Sequence, residues 1–149
     1  MAIELTNRGI GKLAGMAALL PNQPIFHNCR VVGETALKVG DIVALATGGA
    51  KDVPAVKKAA ATDLPLGVVA YGCIKTGYAT TDIVSVFPDN ACVYLPAGAT
   101  NITRGAKLQF NADGQVLATT TASNGYIGIA LTEPTAVGDL IVVQIKASK

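Results

Sequence analysis

The sequence predicts an all-β fold: a small β-barrel or sandwich of about nine short strands, built from two related β units behind an extended N-terminal arm. Three observations carry this. From Ala36 onward, short runs rich in valine, isoleucine and threonine alternate with closely spaced turn signals. Nothing in that region sustains the 3.6-residue apolar period of a helix. One phrase is also written more than once: a glycine turn, a strand, a loop or hairpin, then a strand with an internal glycine.

Residues 1–35 have little period-2 alternation and carry Pro21, Pro24 and several glycines. Residues 11–20 have the length of a short helix, which Gly15 weakens by about 1 kcal/mol relative to alanine and Pro21 ends. The rest of this segment reads as an extended arm or an edge-hugging lead-in. Residues 36–149 form the barrel domain, with strands expected at 41–46, 53–58, 66–72, 83–87, 92–95, 107–110, 115–119, 126–132 and 140–146. In "FNADGQVL", Asp113-Gly114 between apolar segments marks a tight hairpin. "TGGA" at 47–50 is a looser version of the same device.

"LKVGDIVAL…LPLGVVA" (37–70) lines up with "ITRGAKLQF…GYIGIAL" (102–131), pairing Gly40 with Gly105 and Gly67 with Gly128. The closing "AVGDLIVV" repeats the first half of the unit. Gly40, Gly105 and Gly138 precede strands, where a turn often needs positive φ. Gly67 and Gly128 lie inside strands, where glycine marks a bulge or a close backbone approach. Two such units closing one small barrel account for the repetition as architecture.

Composition narrows the function. At 149 residues, 50% hydrophobic and 15% charged, the chain is long enough for one domain with a real core. The mean hydropathy of +0.43 is high, yet the apolar runs at 13–20 and 42–46 fall far short of the ~20 residues of a membrane helix. Apolar surface buried against other subunits is the expected reason. A net charge of +2, no tryptophan and one adjacent basic pair, Lys57-Lys58, leave no basic stripe for nucleic acid. No membrane partner is expected either.

The search for chemistry finds no enzyme. Cys29, Cys73 and Cys92 are odd in number, widely spaced and set among apolar neighbours, so they read as reduced, buried thiols in a cytoplasmic product. His27 near Cys29 has no orienting acid nearby, and the donors for a metal are too few and scattered. Asp41 and Asp139 read as caps of their turns. "GIGK" at 9–12 fails the phosphate-loop spacing. No catalytic residue, metal or cofactor is expected.

The order of "LKVGDIVAL", "DLPLGVVAYG", "VYLPAGATNITRGAKLQFNADGQV" and "SNGYIGIALTEPTAVGDLIVVQI" resembles the capsid cement, or head decoration, proteins of tailed bacteriophages, over roughly 36–145. The resemblance implies a non-enzymatic virion protein on the capsid exterior. It would bind the major capsid protein, bridge neighbouring subunits and commonly form a homotrimer. The barrel would be the trimer body. Ile3, Leu5, Leu19, Leu20, Ile25 and Phe26 are the expected capsid or inter-subunit anchors; Gly40, Asp41, Gly67, Gly105, Gly114, Gly128, Gly138 and Asp139 are the expected structural turn residues. The alternatives are another virion component (tail, spike or vertex), a small β-barrel binding module, or an enzyme using Cys29 and His27.

Overall fold

The structure, a computed structural model, describes residues 14–15, 23–71, 77–120 and 125–146. The described residues hold twelve strands: β1 (Phe26–Val31), β2 (Leu37–Lys38), β3 (Ile42–Leu45), β4 (Ala55–Lys58), β5 (Pro65–Val69), β6 (Gly77–Tyr78), β7 (Ile83–Phe87), β8 (Cys92–Pro96), β9 (Lys107–Phe110), β10 (Val116–Thr119), β11 (Tyr126–Ala130) and β12 (Leu140–Ile145). All nine expected strands are present. The helix expected at 11–20 lies almost wholly outside the described residues.

Two sheets carry the architecture. Strands β1-β4-β3-β5-β7 close a barrel, and β10-β9-β11-β12-β8 form a five-stranded sheet. Strands β2 and β6 add a two-stranded ribbon through Leu37 opposite Tyr78. The two repeated units therefore do not share one barrel, as the sequence suggested. Unit 1 builds the barrel and unit 2 the sheet.

Three strands escaped the sequence reading. The segment 26–31, read as arm, is β1, which closes the barrel against β7 antiparallel and β4 parallel. Its pairing shifts between Phe26 and Cys29, and Asn28 sits at φ 60°. This bulge erases the period-2 pattern that would have announced a strand. Strands β2 and β6 have only two residues each.

The units match bond for bond. Gly40 N donates to Val69 O (3.0 Å) and Val69 N to Asp41 O (2.9 Å); Gly105 N donates to Ala130 O (2.7 Å) and Ala130 N to Ala106 O (3.0 Å). The internal glycines match too: Gly67 faces Val43, and Gly128 faces Leu108, each beside a register shift. A β-carbon on Gly67 would lie 2.0 Å from Phe87 O, and one on Gly128 2.0 Å from Gln144 O. Glycine is needed at both places because the carbonyl of the next strand occupies the side-chain space.

The match extends to the closing strands, with β8 standing where β1 stands. Val32 N donates to Val56 O (2.9 Å) beside the parallel β1–β4 pair, and Gly98 N to Val116 O (2.8 Å) beside a parallel bridge between Ala97 and Val116. Unit 2 is thus a second barrel whose last seam is reduced to one bridge. The barrel interior of unit 1 is filled by Cys29, Val31, Leu37, Val43, Val56, Val69, Val84 and Val86. The larger cluster joins the inner residues of unit 2, such as Leu95, Leu108, Ile127 and Ile145, to Ile42, Val68 and Phe87 of unit 1. Burying one such side chain contributes about 1.5–3 kcal/mol, so this shared cluster holds the units together.

The lead-in hugs an edge where it is described. Gly15 N donates to Tyr94 O of β8 (2.9 Å), and Gly15 O accepts from Tyr71 N (3.0 Å). Gln23 joins the same edge through both ends of its amide, donating to Cys92 O (2.7 Å) and accepting from Cys92 N. Edge groups of β8 are thereby satisfied without another strand.

Candidate interaction surface

Four of the residues named from sequence, Gly40, Asp41, Gly138 and Asp139, belong to one recurring turn device, while Gly67 and Gly128 lie inside strands. Lys38 N donates to Asp41 Oδ2 (2.7 Å), Ala60 N to Asp63 Oδ2 (2.9 Å), Ala79 N to Asp82 Oδ2 (2.8 Å) and Ala136 N to Asp139 Oδ2 (2.8 Å). In each, the aspartate N–H also donates back to the carbonyl of that first residue. The third residue has φ +87° at Gly40 and +91° at Gly138, but Thr81 holds the same place at φ 78°. Gly105 holds the third place of a turn that lacks the aspartate, at φ +81°, and Gly114 closes the turn that begins at Asn111, at φ +76°.

These carboxylates are occupied by their own turns. Asp139 also accepts from Thr135 N (2.8 Å) and Oγ1 (2.7 Å), and the Thr135 hydroxyl leads in holding its carboxyl below the ordinary range. The Ala60 N–H, followed by the Lys57 ammonium, does the same for Asp63. Lys57 pairs with Asp63 at 3.2 Å and Lys58 with Asp41 at 3.6 Å. The lysine pair is therefore neutralised locally and presents no open cationic patch.

The remaining chemical groups stay apart. Cys29 points into the barrel of unit 1, where burial pushes its thiol up. His27 stands exposed on the other side of the bulge, its Nδ1 3.0 Å from Ser85 Oγ. The bulge thus separates the histidine from the thiol. Burial also raises the Cys92 thiol, partly offset by the Lys146 charge. Among the described residues no three His, Cys, Asp or Glu side chains gather as metal ligands. Cys73 lies outside the described residues.

What the surface does offer is apolar. Phe26 is 46% exposed on β1 and Ile83 is exposed on β7, and Arg30 pairs with Ile83 across the two strands. Arg30 carries a buried Nε with no partner, so this face ends in an unsatisfied donor beside exposed hydrophobes. Ile25, the neighbouring anchor named from sequence, is half-buried against the protein's own larger cluster. Ile3, Leu5, Leu19 and Leu20 lie outside the described residues.

A second apolar site was not legible. Leu45 and Leu64 are 61% and 59% exposed and line a cavity of about 290 Å³ with Ala44, Asp63, Pro65 and Leu66. The signal was in the repeat: register equates Leu45 with Phe110 and Lys57 with Leu117. Position for position, unit 1 differs here from its sister.

Residues 66–145 match the sequence model of a family described as phage cement protein. The matched span runs from β5 to the end of β12. Among solved structures, the chain is similar to the head fiber gp8.5 N base of bacteriophage phi29, with a TM-score of 0.58 and 23% identity. That likeness covers 85% of this chain and 96% of the other, and it concerns the fold. No curated protein sequence matches the chain.

Proposed function

Since the chain belongs to the phage cement protein family, we propose that it binds the outside of an icosahedral phage capsid and stabilises it by bridging neighbouring major capsid subunits. The family match over 66–145 is the observation that carries this reading. On this reading the protein works without catalysis, is made in the host cytoplasm and associates with itself as a homotrimer. The surface suits such binding, because exposed Phe26 and Ile83 offer apolar area to a partner. Many identical contacts on one lattice then act together, so each contact needs only modest strength. The similarity to a phage head fiber base fits a role at the virion surface.

The test is direct binding. Purified protein is mixed with expanded capsids that lack it, and the mixture is sedimented. Co-sedimentation that saturates, with capsids then resisting heat at a higher temperature, is the expected result. Phe26→Ala weakens binding about tenfold, as loss of an aromatic anchor worth about 1.4 kcal/mol does, and leaves the melting temperature of the free protein in place. Ile3→Ser with Leu5→Ser tests the arm in the same assay. Protein that stays in the supernatant at every concentration overturns the reading.

A further inference from the structure

The junction between the two units is hydrogen-bonded at both ends of β5. Before the strand begins, Gly125 N of unit 2 donates to Asp63 O of unit 1 (3.2 Å). Beyond its other end stands a residue of the lead-in. Gly15 O accepts from Tyr71 N of unit 1 (3.0 Å), and Gly15 N donates to Tyr94 O of β8 in unit 2 (2.9 Å). One residue thus bonds both units although it belongs to neither. Between these ends the contact is apolar, through side chains such as Ile42, Val68 and Ala70 of unit 1. Apolar burial resists separation without fixing direction, so the bonds at the two ends set how the units face each other.

The socket around Gly15 is shaped for glycine. Its φ is +77°, and a β-carbon there would lie 2.4 Å from Val69 O and 2.7 Å from Gly40 N. Those two atoms are partners in the bond that closes the Gly40 turn onto β5 (3.0 Å). The fit is mutual, because a β-carbon on Gly40 would lie 2.5 Å from Ala14 Cβ. The sister turn supplies the comparison. Gly105 makes the equivalent bond to Ala130 O and has a similar φ, +81° against +87°, yet a β-carbon on it meets nothing within 4 Å. Backbone conformation therefore asks for glycine in both turns, and close approach asks for it at Gly40 alone. The difference is Ala14-Gly15, seated against one turn and not the other.

We propose that Ala14-Gly15 is a clasp. Seated against the Gly40 turn, it locks unit 1 onto unit 2 as one rigid body. Withdrawn, it frees the junction at Tyr71 and the edge of β8 at Tyr94. Residues 1–13 lead straight into it, so whatever binds the arm acts on the junction between the units. That use rests on the arm's proposed place on the capsid. The clasp itself is tested on the free protein, so its failure leaves capsid binding to be judged separately.

The experiment is amide hydrogen exchange on the full chain, resolved residue by residue by nuclear magnetic resonance. Gly15→Ala drives a methyl against Val69 O and lifts the clasp. Exchange at Tyr71 N and Gly125 N should then rise together, by about tenfold or more, while the central strands β3 and β9 keep their protection. Gly125 is the decisive reporter, because it bonds at the far end of β5 from the substitution. Gly40→Ala wedges the same contact from its other side and should raise the same two amides; it carries the test if Gly15→Ala does not fold. Gly105→Ala has the φ cost without the clash and should leave both amides near wild type. A rise at Tyr71 alone, at neither amide, in step with β3 and β9, or equally in Gly105→Ala overturns the proposal.

Discussion

Thr81 occupies a backbone conformation that its twin turn gives to glycine, which sets up a substitution with an internal control. Thr81 N donates to Val31 O, with Thr81 at φ 78°; Gly138 N donates to Ala97 O at φ +91°. The left-handed region costs a β-carbon-bearing residue about 1–2 kcal/mol, whereas glycine adds about 0.4–1 kcal/mol of unfolded-chain entropy. The Thr81 side chain is exposed, so little packing is lost with it. Thr81→Gly should therefore stabilise by about 0.5–1 kcal/mol, which for a chain of this size raises Tm by about 1–4 °C. A β-carbon on Gly138 meets nothing within 4 Å, so Gly138→Thr carries the φ penalty alone and should lower Tm by a similar amount. The sites belong to different turns, so the double variant should return close to wild type. Calorimetry on all four proteins decides it. A destabilised Thr81→Gly, or an unaffected Gly138→Thr, would refute the equivalence of the two turns.

Other outcomes follow from the same contacts. Gly128→Ala forces a methyl to within 2.0 Å of Gln144 O, so β11 and β12 must part; the expected loss is about 3 kcal/mol or more, read by chemical denaturation. Gln23→Ala removes both side-chain bonds to the Cys92 backbone and should cost about 1–3 kcal/mol, measured the same way. Asp63 and Asp139 have depressed carboxyls, so the stability they contribute is present above the unfolded value of about 3.9 and is lost as pH falls through the lower folded values. Tm should accordingly fall on acidification below about pH 4. Asp139→Asn should melt lower at neutral pH and show a flatter acid limb.

The elements with a clean local signature were legible in the sequence. Asp113-Gly114 announced the β9–β10 hairpin, and the paired glycines announced two related units. The third phrase has a different partner from the one its letters suggest. "AVGDLIVV" matches the turn before β3 by eye, but its hydrogen bonds make it the twin of the turn ending at Asp82, before β7. Thr81 hides that correspondence by standing where glycine belongs. Strand β1 was not legible because Asn28 breaks its alternation. Nor was the Leu45–Leu64 site, because exposure depends on what packs above, and leucine in a strand reads as core until its sister, Phe110, is seen to be covered. The surface named from sequence is split by the fold: Phe26 faces solvent while Ile25 serves the core.

Whether this protein coats a phage capsid is decided by counting its copies on the particle. Quantitative mass spectrometry on gradient-purified particles compares this chain with the most abundant shell protein. A ratio near one to one is expected, as a protein spread over the whole lattice gives. A few copies per particle, or none, would contradict it.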